Sequence, residues 1–98
     1  MANPSYKIEL LLFLMYPGGN ITLKKQVILP FVPFKKLWIE LCVDEKDESS
    51  CVFVKYVQYN TVLNSITVFL DDVAYNNKSN AEKGSLYYIN TLSFIRTK

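Results

Sequence analysis

The side chains that perform most enzyme chemistry are scarce in this sequence. Its 98 residues include no histidine, which removes at once the commonest general base, the imidazole of nucleophilic triads and the commonest metal ligand. Carboxylates could still act as an acid/base pair. The adjacent Asp71 and Asp72, however, fall at a strand end where neighbouring side chains point to opposite faces, so they do not converge on one substrate. The run Asp44-Glu45-Lys46-Asp47-Glu48 resembles a calcium loop in its acidity alone. No glycine stands at its sixth position, and Lys55 occupies the place of the bidentate glutamate. It reads as a solvated hairpin tip whose charge discourages edge pairing.

Two cysteines, Cys42 and Cys51, leave three readings open. If the acidic run is a turn they lie directly opposite on antiparallel strands, within disulfide reach as a non-hydrogen-bonded pair. In a reducing compartment they stay thiols. A zinc site would need a second chain, because two sulfurs without histidine do not complete a tetrahedron. No glycine-rich phosphate loop is present, and Gly18-Gly19 belongs to a hairpin rather than to a helix start. The expectation is a non-enzymatic chain with no cofactor and no metal.

Ten of the eleven basic residues are lysine, Arg96 being the exception, so the guanidinium forks that read phosphates and base edges are nearly absent. Lysine still supplies plain attraction. Lys35, Lys36, Tyr56 and Tyr59 form the candidate site for a nucleotide or single-stranded nucleic acid, held by stacking and a basic groove. The net charge is +2, unevenly distributed. Residues 1–36, 37–72 and 73–98 carry +4, −5 and +3, a pattern suited to steering a partner unless antiparallel strands mix the blocks.

The elements that must position these groups are β-strands. Half the residues are apolar, with seven Tyr and six Phe, and the dominant spacing is two rather than 3.6. A chain of this length supports one hydrophobic core, so residues 1–98 form a single domain. The first hairpin runs from Tyr6 to Tyr16, turns through Pro17-Gly18-Gly19-Asn20 and returns from Ile21 to Leu29. Pairing Tyr16 with Ile21 sets Ile8, Leu10 and Leu14 against Leu29, Val27 and Leu23 on a core face. The opposite face, with Leu11, Phe13 and Met15, is half apolar and needs a cover.

Pro30 and Pro33 mark a corner. The segment Leu29-Pro30-Phe31-Val32-Pro33 resembles the lead-in to a strand in small SH3-like barrels, a likeness that implies a closed barrel and brings no site with it. Residues 34–43 fit a strand, with a helix as the alternative. Strand pairing sets Cys42 opposite Cys51, Leu41 opposite Val52, Ile39 opposite Val54 and Leu37 opposite Tyr56, with Trp38 against Lys55 on the reverse face. A turn over Asn60 to Ser65 leads to a strand with Ile66, Val68 and Leu70 inward and Thr67 and Asp71 outward. The polar stretch 76–85 is expected to be a mobile loop, and Leu86 to Arg96 a closing strand.

The fold expected is therefore all-β: a small antiparallel barrel or two-layer sandwich of about six strands, with an α+β fold containing a helix at 34–43 as the alternative. Its surplus apolar side chains, Leu11, Phe13, Met15, Trp38 and Phe53, point to a protein-binding module of adaptor or inhibitor type, self-associating as a homodimer. Nucleic acid is the alternative partner. The longest apolar run, Leu10 to Tyr16, is seven residues, far below the roughly 20 of a membrane span, and no signal-peptide pattern opens the chain. No membrane partner and a cytoplasmic location are expected.

Overall fold

The computed structural model describes residues 5–42 and 49–97. Seven strands and one helix follow one another: β1 (Tyr6–Tyr16), β2 (Gly19–Leu29), β3 (Trp38–Cys42), β4 (Ser49–Asn60), β5 (Ser65–Leu70), β6 (Val73–Ala74), α1 (Lys78–Leu92) and β7 (Ile95–Arg96).

The β1–β2 hairpin forms where the alternation of apolar residues requires it, but its loop is two residues long. Tyr16 pairs with Gly19, and Pro17-Gly18 makes the turn. Proline pre-sets the first central position, and Gly18 takes φ 94° at the second, the geometry of a type II turn. The pairing is displaced by two residues from the one expected: Leu14 meets Ile21, Leu12 meets Leu23 and Ile8 meets Val27. A shift of two keeps every side chain on its face. Ile8, Leu10, Leu12, Leu14, Ile21 and Leu23 are accordingly buried.

The sheet runs in the order β3-β4-β5-β1-β2-β7, with β6 beside β1. β1 is parallel to β5 and to β6; the other pairings are antiparallel. The sheet is therefore mixed and open. The barrel, and its implied antiparallel pairing throughout, are not found, because β3 and β7 end the sheet at opposite edges. The reason lies in residues 30–37, which carry the chain from β2 past β1 and β5 to the far side of β4. There Lys36 N donates to Val54 O, and Val54 N to Leu37 O. Pro33 is buried and Leu37 packs against the core.

Residues 38–42 are a strand, as expected in preference to a helix, but the β3–β4 register is again displaced by two. Trp38 pairs with Phe53, Ile39 with Val52, Glu40 with Cys51 and Cys42 with Ser49. The two cysteines are thus not opposite one another, and Lys55 is not opposite Trp38. Lys55 instead sits at a β-bulge between Val54 and Tyr56 and pairs with Asp72 at 3.5 Å. Trp38, Cys42 and Cys51 are described through their backbone, and the acidic run 44–48 lies outside the described residues.

The largest departure is at the C-terminal end. Residues 76–85 are not a loop and Leu86 to Arg96 is not a strand: α1 occupies 78–92, and only Ile95–Arg96 is extended. The Asn77 side chain caps the helix by accepting from Asn80 N at 2.8 Å. Ser93 ends it in the left-handed region, at φ 63°. Ala81, Ser85 and Leu92 are buried at helical spacing, and the small inward residues let the helix lie close on β1 and β2. Lys25 on β2 donates from Nζ to Leu92 O, placing a cation at the negative end of the helix. The fold is mostly β with one helix laid on one face of the sheet, an α+β arrangement whose helix lies at 78–92 rather than at 34–43.

Candidate partner-binding face of the sheet

With α1 on the Leu10–Leu14 face of the sheet, the other face is left to the alternate residues. β1 presents Glu9, Leu11, Phe13 and Met15 there, and β2 presents Thr22, Lys24, Gln26 and Ile28. The parallel register sets Leu11 beside Phe69 of β5, and Phe69 faces Tyr56 of β4. The rings form a row. Tyr56 stacks on Phe69 at 4.4 Å between centroids, and Phe13 lies nearly parallel to Phe69 at 6.3 Å. Because β5 lies between β4 and β1, Phe69 is held between the other two rings. Such offset stacking adds about 0.5–1.5 kcal/mol per pair beyond area burial.

No described element covers this row. Leu11, Phe13 and Phe69 are half-buried by one another, whereas Met15 is 40% exposed, Tyr56 45% and Ile28 67%. Polar side chains of Glu9, Gln26, Gln58 and Thr67 border it at one end, where together with Lys7 and Asn60 they line an open hollow of about 520 Å³. The result is an apolar row with polar side chains at one end.

Leu11, Phe13 and Met15 thus share one face, as the sequence spacing requires. Phe53 lies on β4 opposite Trp38, beyond Tyr56 and toward the sheet edge formed by β3. Phe69 is absent from the set expected from the sequence, although the alternation that turns Val68 and Leu70 inward turns it outward. The alternative ligand-binding set is dispersed. Tyr56 belongs to the aromatic row, Tyr59 pairs with Ile66 on the core side of the strand, and Lys35 and Lys36 are exposed on the connector beside Val54.

Other ionisable groups form contacts within the fold. Glu82 on α1 receives a two-pronged contact from Arg96 on β7, at 2.8 and 3.2 Å. That guanidinium holds the Glu82 carboxyl below the ordinary glutamate value and is itself pushed up. Burial raises the phenols of Tyr75 and Tyr88. Among the described residues no group of His, Cys, Asp and Glu side chains could hold a metal ion, and no helix is long and apolar enough to cross a membrane. Comparison with known protein families, with curated proteins and with solved structures finds no match.

Proposed function

We propose that this chain is a non-catalytic binding module that holds a protein partner against the outer face of its sheet. The observation that carries this reading is the row Phe13, Phe69 and Tyr56 on a face that no described element covers. Aromatic side chains are the usual anchors of protein interfaces, since they bury large area at low conformational cost.

The same row argues against a nucleic acid as occupant. A base stacks on a free ring face, and Tyr56 already stacks on Phe69 at 4.4 Å. The cations on this surface are Lys7 and Lys24, with Glu9 between them on the same face, and Lys35 and Lys36 lie away from it.

The test is a photoreactive amino acid placed at Met15, in the patch, and separately at Val62, which is 90% exposed in the β4–β5 turn. Irradiation in the cells that make the protein should give one discrete protein adduct from position 15, lost on Phe69→Ser, and none from position 62. A nucleic-acid adduct, or equal labelling from both positions, would overturn the reading. Urea unfolding of Phe69→Ser should show a cooperative transition, so that loss of the adduct reads as loss of binding rather than of fold.

A further inference from the structure

Strand β2 is covered along only part of its outer edge. β7 pairs with Leu23 and Lys24, and Thr97 N donates to Thr22 O. Residues 26–29 pair with no strand on that side among the described residues.

The backbone groups that face this open edge follow from the ladder. In an antiparallel strand alternate residues bond to alternate sides. Thr22 O accepts from Thr97 on the β7 side, so Lys24, Gln26 and Ile28 also direct their N–H and C=O that way. The intervening residues bond to β1, a parity that the Tyr16–Gly19 pair closing the two-residue loop also demands. The register is continuous from Tyr6 to Leu29, so nothing interrupts the alternation. Four groups are therefore left over: the N–H and C=O of Gln26 and of Ile28, both residues exposed. β7 bounds this window at Lys24, and Pro30, which has no N–H, bounds it at the other end.

The geometry points to a second copy of this chain as the occupant, paired antiparallel, β2 to β2, about a two-fold axis through Val27. In that register Gln26 faces Ile28 of the partner subunit and Ile28 faces Gln26 of the partner subunit, both as hydrogen-bonded pairs. The four resulting bonds satisfy every open group on both chains. An axis through residue 26 or 28 instead satisfies half of them. The contact is isologous and closes on itself. Residues 26–29 also lack the proline, bulge or charged side chain with which monomeric proteins protect a bare edge. The pairing makes one continuous sheet of the two molecules and joins their outer faces. It does not rest on which partner that face binds.

Two measurements test it. Light scattering on a sizing column should give twice the 11.3 kDa chain mass for the native protein, and the single mass for Ile28→Pro, whose lost N–H faces the open edge and takes no part in the β1–β2 ladder. In a Cys42→Ser, Cys51→Ser background, Val27→Cys should oxidise to a covalent dimer. A non-hydrogen-bonded pair on the axis brings its Cα atoms to about 4.5 Å, within disulfide range. Met15→Cys in the same background should form no covalent dimer. A monomeric native protein, a dimer that survives Ile28→Pro, or failure of Val27→Cys to cross-link overturns the proposal. If Ile28→Pro does not fold, the Val27→Cys result decides alone.

Discussion

Replacing Gly84 with alanine should weaken this protein, although the same change in an open helix would strengthen it. Gly84 lies within α1, where alanine is worth about 1 kcal/mol over glycine. Its position is taken, however, by the ring of Tyr75. A Cβ on Gly84 would stand 2.5 Å from Tyr75 Cζ and 2.8 Å from Cε1, well inside van der Waals contact. Tyr75 is half-buried and packs against the core, so the ring must swing out or the helix must lift from the sheet. Overpacking of this kind costs about 1–3 kcal/mol, leaving a net loss of up to about 2 kcal/mol after the helical gain. In a domain of this size that lowers Tm by about 4–8 °C per kcal/mol. The decisive assay is a double-mutant cycle by urea unfolding. With Tyr75→Val the obstructing atoms are gone, and Gly84→Ala should then stabilise by about 1 kcal/mol, a reversal of sign. A Gly84→Ala variant that is more stable beside the native tyrosine, or equally destabilised in both backgrounds, would refute the packing of helix on ring.

Three further outcomes follow from the contacts around the helix. Lys25→Met removes the cation from the α1 C-terminus and should cost about 1 kcal/mol in urea unfolding, while Lys25→Arg should retain most of that stability. Glu82 has its carboxyl lowered by Arg96, so its contribution is complete above the ordinary glutamate value and vanishes as pH falls through the folded value. Glu82→Gln should flatten the acid limb of the stability profile and leave the alkaline limb unchanged. Tyr88 is raised by burial, so its contribution is complete below the ordinary phenol value of about 10 and is lost above it. Phenolate absorbance should show a late-titrating component from Tyr75 and Tyr88 that Tyr88→Phe diminishes.

Local patterning carried the sequence far, and its failures share a cause. The outward and inward faces of β1, β2 and β5 could be assigned from spacing alone, because a two-residue error in register does not change a face. The same error is fatal to a claim about which residues touch, and so the expected opposition of Cys42 and Cys51 did not survive. The helix was hidden by its composition. Tyr87, Tyr88 and Ile89 favour strands, and the inward positions Ala81 and Ser85 carry little hydrophobic signal. Asn77 three residues before Asn80, and the spacing of Ala81, Ser85, Tyr88 and Leu92, were nevertheless available. The parallel placement of β1 against β5 had no local signature, since it pairs residues 58 positions apart. The aromatic row was therefore legible strand by strand but not as one surface.

That long-range pairing has a consequence for how the protein is made. β1 lies in the interior of the sheet, yet it precedes every other described strand in the sequence. Its β2 side closes as soon as the hairpin emerges. The side that receives Ile66 to Phe69 stays open until β5, 58 positions further along, has been made. Throughout that interval the nascent hairpin carries a bare edge flanked by Leu10, Leu11 and Leu12, and loop closure over so many residues is slow compared with hairpin formation. The early chain is thus the segment most in need of a chaperone, and its exposure ends only when β5 docks beside it.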